Sequence, residues 1–235
     1  MIAIPTSIDP DLLKDSIVEI RFNSDLDFAL VPGLVYHSLI KNGYQYNSGI
    51  INPIAQPNQF VFNLAQPTFV NEFITCRITG NSLIYNFKTK YIGWKKYYSE
   101  ITDFLRIIED LQIVRTYSRI GLRYINILRE TNVYEKLIDE LRVNLKSLQN
   151  VATNIKTEIV HPEFKINVNL GNDFRLPEPN EKVSVIDIDV FLEKEINKLD
   201  ELLTILDHIH TAETEVFFTV LKPEFVQTLK PNYDR

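Results

Sequence analysis

The chain has 235 residues, of which 45% are hydrophobic and 24% are charged, and its formal net charge is −6. These values are typical of a globular protein with a sizeable core, and they exclude a disordered or collagen-like chain. The acidic balance disfavours nonspecific binding of nucleic acid, which needs a basic surface. The seven glycines do not have the spacing of a phosphate-binding loop. This excludes a standard P-loop ATPase and a Rossmann dehydrogenase.

The single cysteine and the amino-terminal sequence bear on the cellular setting. Cys76 is alone, so it forms neither an internal disulfide nor a cysteine-based zinc site, and we expect it to be a small buried residue. Residues 1–20 lack the basic and apolar regions of a secretory signal. No stretch reaches the ~20 apolar residues of a membrane span. We therefore expect a cytoplasmic protein with no membrane segment.

The first half of the chain alternates between strand and helix patterns. Pro32 opens a helical pattern, and Gly80-Asn81 marks a hairpin turn between two alternating runs. From Trp94 onward, apolar residues recur at steps of three and four, which predicts a long amphipathic helix. We predict strands at 16–22, 59–64, 73–79, 83–88 and 115–128, helices at 32–41 and 94–113, and a loop over 44–58.

The second half of the chain continues with similar patterns. We predict helices at 133–148 and 196–221, strands at 164–170 and 182–192 joined by a polar turn at 171–179, and a docked tail at 222–235. The order β-α-β-β-α-β in the first half predicts a ferredoxin-like antiparallel sheet. The second hairpin and the long C-terminal helix would extend this α+β fold. We expect one domain over residues 1–235, with possible sub-units at 1–130 and 131–235.

Arginines form the first candidate site. Arg119 and Arg123 point to the same side of one predicted strand, and Gly121 between them removes a side chain. Because the first and last strands of a ferredoxin-like order are neighbours, Arg21 and, from the hairpin, Arg77 could join them. Guanidinium groups bind carboxylate or phosphate in bidentate geometry. The other interpretation is that carboxylates such as Glu19 pair with these arginines on a solvated sheet face.

Two carboxylates form the second candidate site. Asp187 and Asp189 alternate with apolar residues, so both point to one side of a predicted strand, about 7 Å apart. Such a pair can hold Mg²⁺ against a substrate phosphate. The other interpretation is an exposed acidic strand face. His208 and His210 lie two residues apart in a helical pattern, where they do not share a face, so we do not expect them to bind a metal.

A family resemblance rests mainly on the run RIGLRYIN at residues 119–126. This run resembles a motif of a sporadically distributed, largely uncharacterised bacterial family of hypothetical proteins. Weaker supporting features are the strand at 17–22, Gly93-Trp94, the Asp187–Val190 run and the helix end at 216–221. The resemblance implies no catalytic residues. The patchy distribution of the family implies an accessory role in mobile or defence-related gene clusters.

Two functional hypotheses follow from these patterns. The first is a non-enzymatic interaction module that binds a protein partner or a small anion through Arg119, Arg123, Arg21 and Arg77. A homodimer is a further expectation, because the long apolar helix and open sheet edges favour pairing. The interaction hypothesis predicts that Arg123→Ala weakens binding and hardly changes the melting temperature. The alternative is a Mg²⁺-dependent enzyme that acts on a phosphate compound through Asp187 and Asp189.

Overall fold

The computed structural model describes residues 4–50, 65–138, 153–175 and 181–233. Its central element is a nine-stranded antiparallel sheet in the order β2-β3-β4-β5-β1-β6-β9-β8-β7. The strands are β1 (Leu13–Asn23), β2 (Gln45–Ile50), β3 (Ala65–Val70), β4 (Ile74–Thr79), β5 (Ser82–Phe87), β6 (Thr116–Arg129), β7 (Asn154–Val160), β8 (Lys165–Arg175) and β9 (Lys182–Leu192). The helices are α1 (Val31–Lys41), α2 (Trp94–Asp110), α3 (Leu199–Val220) and α4 (Pro223–Thr228).

The chain divides into two compact units, which we describe separately. Unit 1 comprises Met1–Ser16, Leu122–Leu192 and His208–Arg235. Unit 2 comprises Ile17–Gly121 and Glu193–Asp207.

The core of unit 2 lies between one face of its strands and helix α2. In β1, the alternate residues Val18, Ile20 and Phe22 are fully buried, as a half-buried strand requires. The apolar stripe of α2 packs on the same side, because the ring of Phe104 contacts the rings of both Tyr85 and Phe69. Burial of these side chains supplies the main stabilising free energy of the unit. The other face of the strands is therefore the one available for function.

The predicted ferredoxin-like fold is wrong. Strands β6, β1, β5 and β4 are neighbours in that order, but they are part of a sheet of nine strands. Two further strands, β2 and β3, continue the sheet at one edge, and β9, β8 and β7 continue it at the other. The larger sheet is still accompanied by helices, so the coarser α+β description holds.

Two of the strands missed by the sequence patterns, β2 and β3, lie in unit 2. We predicted a loop over 44–58, whereas Gln45–Ile50 forms a strand that pairs with β3. Because β2 is polar in composition, its sequence pattern does not indicate a strand. The ring of Tyr46 nevertheless packs against Phe69 and Tyr36 and so supplies an apolar contact. The strand predicted at 59–64 lies outside the described residues.

Unit 1 contains the antiparallel strands β7, β8 and β9 and the tail of the chain. Tyr124 and Asn126 in β6 are buried, as their alternation with Arg123 predicts. The tail is docked, because the backbone of Asn232 exchanges hydrogen bonds with that of Thr6 and Ser7.

In unit 1, the helix predicted at 133–148 is wrong over its described residues, 133–138. Only residues 133–135 form a single 3₁₀ turn, and the residues after 138 lie outside the described part. The N–H of Val133 donates to the hydroxyl of Ser184, and the backbone of residues 136–138 bonds that of residues 220–222. These non-local bonds replace the hydrogen bonds that a helix would form.

The polar turn predicted at 171–179 is also wrong over its first five residues. Strand β8 continues to Arg175, with an irregular register between Gly171 and Phe174. The ring of Phe174 covers Gly171 so closely that a Cβ atom there would lie 2.3 Å from a ring carbon. The absence of a side chain at Gly171 therefore leaves room for the ring of Phe174 in the position that it adopts.

Candidate functional site

The outer face of unit 2 is the face of strands β1 to β5 that points away from α2. Its residues are mostly half-buried rather than buried. The strand register places Glu19 opposite Ile84, and Ile84 opposite Arg77. Arg77 therefore lies two strands away from Glu19, a separation of about 10 Å between backbones. The outer face thus brings Arg21 and Arg77 onto one surface.

Glu19 is the centre of a charged cluster on this face. Its carboxylate accepts hydrogen bonds from Nε of Arg21 at 2.9 Å, from the guanidinium of Arg119 and from the hydroxyl of Ser82. The Arg119 side chain is only 11% exposed, whereas that of Arg21 is 44% exposed. Arg119 therefore has a structural role, and Arg21 keeps a surface toward solvent.

The electrostatics of Arg21 follow from its carboxylate neighbours. The hydrogen bond that Arg21 donates to Glu19 is the largest cause that raises the pKa of Arg21, and the charges of Glu19 and Glu193 raise it further. Together with Arg77 and Arg119, this gives three guanidinium groups and two carboxylates. The outer face is therefore locally rich in positive charge, although the whole chain is acidic.

Arg77 is bound more weakly than the other two arginines. Within the described residues, its guanidinium donates one long hydrogen bond, 3.5 Å from Nη2 to the amide oxygen of Asn86. A neutral amide does not compensate the charge of a guanidinium as a carboxylate does. Arg77 is therefore the arginine of this face that an incoming anion engages at the smallest cost.

Arg123 lies in unit 1, in a different electrostatic setting. Its Nε and Nη2 each lie 2.7 Å from an oxygen of Asp187, which is a bidentate pair. The Asp187 side chain is 9% exposed and that of Arg123 is 45% exposed. The hydrogen bond to Asp187 raises the pKa of Arg123, and the charges of Asp187, Asp189 and Asp15 add to this effect. Arg123 is thus surrounded by an excess of negative charge.

The position between the two arginines of β6 is not open. Gly121, which the sequence suggested as an entry for an anion, is buried. The sequence predicted that Arg123→Ala hardly changes the melting temperature, and the structure contradicts this expectation. Asp187 is buried and accepts both hydrogen bonds from Arg123, so loss of the guanidinium leaves a buried carboxylate unpaired and lowers the stability of the fold.

The pair Asp187 and Asp189 does not fit a Mg²⁺ site as the structure stands. Both oxygens of Asp187 face Arg123, so a metal ion would have to displace the guanidinium. Within the described ranges, no group of three or more His, Cys, Asp and Glu side chains is placed to hold a metal ion. His210 lies with its ring at the edge of Tyr124, and His208 is exposed.

Two cavities in unit 2 lie away from these arginines. The larger has a volume of about 560 Å³, and its lining includes Leu26, Leu34, Ile113 and Arg115. The smaller, of about 480 Å³, is lined by polar residues that include Arg106 and Asp200. Neither lining contains Arg21, Arg77 or Arg119. The outer face is therefore a surface rather than one of these concave sites.

Other structural features bear on the predicted roles of single residues. Cys76 is fully buried, as predicted, and burial raises the pKa of its thiol far above the usual range. Trp94 donates its indole N–H to Asp207 at 2.7 Å, which anchors the start of α2. No helix of the described residues is both long and apolar enough to cross a membrane.

The sequence patterns missed Glu213, a buried carboxyl group in α3 of unit 1. It is 1% exposed, and its Oε1 has no hydrogen-bond partner among the described residues. Burial raises its pKa well above the usual value, because a low-dielectric interior favours the neutral form of the carboxyl group. Its spacing from Leu206, Ile209 and Phe217 places it on the buried stripe, which is the signal that could have identified it.

Comparison with known proteins gives no family for this chain. No protein-family model matches it, and no curated protein matches it. The resemblance carried by residues 119–126 therefore remains a hypothesis.

Proposed function

We propose that the chain is a non-catalytic interaction module that binds an acidic partner protein on the outer face of unit 2. The observation that carries the proposal is Arg77, whose guanidinium makes one long hydrogen bond, to the amide oxygen of Asn86, among the described residues. Arg21 lies on the same face and is close to half exposed. Nε and Nη2 of Arg21 already donate to Glu19, so it is the guanidinium of Arg77 that can form bidentate bonds to a carboxylate of a partner, while Arg21 adds positive charge to the same face.

The shape of the face favours a protein over a small molecule. Small ligands bind in concave sites that bury most of their surface, and the two cavities described above are not lined by Arg21, Arg77 or Arg119. Thr75 and Thr79 lie on the same side of β4 as Arg77, so this strand carries a row of polar side chains on the outer face. A cytoplasmic setting is part of this proposal, and the buried free thiol of Cys76 is compatible with it.

Affinity capture from the native host with three baits tests this proposal. The baits are the wild type, Arg77→Gln and the matched control Arg115→Gln, which removes an arginine of an exposed pair with Asp25 in the same unit. We expect one protein to be retained by the wild type and by Arg115→Gln, to be lost with Arg77→Gln, and to elute with salt. A partner that Arg77→Gln retains as well as the wild type does would contradict the proposal.

The metal-dependent alternative is a separate hypothesis that a thermal-shift measurement addresses. If Mg²⁺ bound at Asp187 and Asp189, millimolar Mg²⁺ would raise the melting temperature by mass action. We expect no rise, because Arg123 already occupies both oxygens of Asp187. A rise that Asp189→Asn abolishes would replace the interaction hypothesis with the metal-dependent one.

A further inference from the structure

Strand β7 is the last strand at its end of the sheet, and it is exposed along most of its length. It pairs with β8 on one side, and among the described residues no strand pairs with its other side. Six of its seven residues are exposed, and Val160 is 96% exposed. An open strand edge presents unpaired N–H and C=O groups to another chain. This edge belongs to unit 1, so it is separate from the face discussed under the proposed function.

The hydrogen-bond pattern shows which backbone groups point outward. The N–H of Asn172 donates to the carbonyl of Thr153, so Thr153 is a residue whose backbone faces β8. In an antiparallel pair, residues alternate between those that face the partner strand and those that face away from it. The backbone groups of Asn154, Lys156, Glu158 and Val160 therefore face the open side.

The charges on β7 select one way for two copies to pair. If two β7 strands run antiparallel about a twofold axis at Thr157, Lys156 of each copy lies opposite Glu158 of the other. The two neighbouring registers that use the same backbone groups place Lys156 opposite itself or Glu158 opposite itself. Opposite charges across a strand pair stabilise it, and like charges destabilise it. Neither side chain has an ion pair among the described residues.

The remaining residues agree with the same register. On the opposite side of the strand, Ile155 of each copy lies opposite Ile159 of the other, which forms two apolar cross-strand pairs. Val160, the most exposed apolar side chain of the strand, lies opposite Asn154 of the second copy and loses exposed surface. We propose that the chain forms a symmetric homodimer in which two β7 strands pair antiparallel about Thr157 and join the two sheets.

The dimer is expected to be weak and dependent on concentration. Seven residues on each side is fewer than the ~20–30 residues that a stable interface of standard size contains. We therefore expect a reversible equilibrium that high salt shifts toward the monomer, because salt screens the charge pairs.

Sedimentation of charge variants over a range of concentrations tests the register. Lys156→Glu and Glu158→Lys each place like charges opposite one another, so each alone should weaken association at least tenfold. An equimolar mixture of the two variants restores both opposite-charge pairs and should form a heterodimer as strong as the wild-type dimer. Circular dichroism of each variant is the control that these exposed substitutions leave the fold intact.

A disulfide trap tests the position of the twofold axis. At the axis, the two Thr157 residues form a non-bonded pair about 4.5 Å apart between Cα atoms, which is within disulfide range. Thr157→Cys should therefore form a covalent dimer on mild oxidation, whereas Asn154→Cys, which lies far from its own copy, should not. The buried Cys76 does not compete in the folded protein.

Three results would overturn the proposal. The first is a wild type that stays monomeric at the highest accessible concentration. The charges of Lys156 and Glu158 would then prevent the pairing of the strand edge instead of directing it. The second is a mixture of the charge variants that does not associate. The third is a disulfide yield for Asn154→Cys equal to that for Thr157→Cys.

Discussion

The two arginine clusters differ in the sign of their excess charge. In unit 2, Arg21, Arg77 and Arg119 accompany Glu19 on the outer face, with the charge of Glu193 also acting on Arg21. In unit 1, by contrast, Arg123 is alone among three aspartates. The same residue type therefore serves two purposes. Where carboxylates outnumber arginines, the arginine compensates buried negative charge. Where arginines outnumber carboxylates, one guanidinium is available to a ligand.

The largest expected effect of a substitution in this comparison is that of Arg123→Ala. It leaves the buried carboxylate of Asp187 without its two charge-assisted bonds. Because the guanidinium is close to half exposed, water replaces part of the loss, and we expect the free energy of unfolding to fall by about 2 kcal/mol. Chemical denaturation measures this.

The control for that prediction is the double variant Arg123→Ala with Asp187→Ala, which removes both charges. The double variant should lose less stability than the two single variants together. Additive losses would show that the pair does not act as a unit.

A second, smaller effect concerns Glu213, a buried carboxyl group whose pKa is raised by burial. Because its folded pKa is raised, the folded state keeps its proton where the unfolded state loses it. Its contribution to stability is therefore complete below about pH 4 and falls as pH rises. We expect Glu213→Gln to be more stable than the wild type at pH 7, and the difference to vanish near pH 4. A difference that does not change with pH would contradict the neutral assignment.

Arg119→Ala is expected to cost about 1 kcal/mol, less than Arg123→Ala, since Glu19 keeps its bonds to Arg21 and Ser82. Adding Arg21→Ala should cost more in the Arg119→Ala background than in the wild type, because Glu19 then loses its last arginine. Thermal and denaturant unfolding of the four proteins in this cycle would reveal the coupling. If Arg21→Ala costs the same stability in both backgrounds, the two arginines are not coupled through the carboxylate of Glu19.

The smallest expected effect is that of Arg115→Ala. Arg115 and Asp25 lie 3.2 Å apart, but their side chains are both largely exposed. Exposed pairs contribute little, so the change in unfolding free energy should stay below about 0.5 kcal/mol. A loss of unfolding free energy as large as that for Arg123→Ala would show that the exposure of an ion pair does not determine its contribution to stability.

The sequence allowed local elements with strong patterns to be predicted. The hairpin at Gly80-Asn81 is confirmed, because Gly80 adopts a positive φ of 56° between β4 and β5. The amphipathic helix from Trp94 is also confirmed as α2. These elements depend on turn chemistry and periodicity, which neighbouring residues encode.

The rest depended on non-local contacts. Strand β2 is polar and β7 is almost wholly exposed, so neither shows a buried alternation. The segment after Val133 has a helical apolar pattern, but Ser184 and residues 220–222 take its hydrogen bonds. The sequence identified Arg21, Arg77, Arg119 and Arg123, but the division into two clusters depends on which carboxylates the sheet places beside them.

The most direct test of the central claim is a binding titration with a synthetic glutamate-rich peptide against the wild type, Arg77→Gln and Arg123→Gln. Each protein is measured at a temperature at which it is fully folded. Our account predicts that Arg77→Gln weakens binding at least fivefold, while Arg123→Gln, whose charge serves Asp187, leaves the affinity unchanged. Loss of affinity with Arg123→Gln and none with Arg77→Gln would contradict the assignment of the outer face of unit 2 as the binding surface.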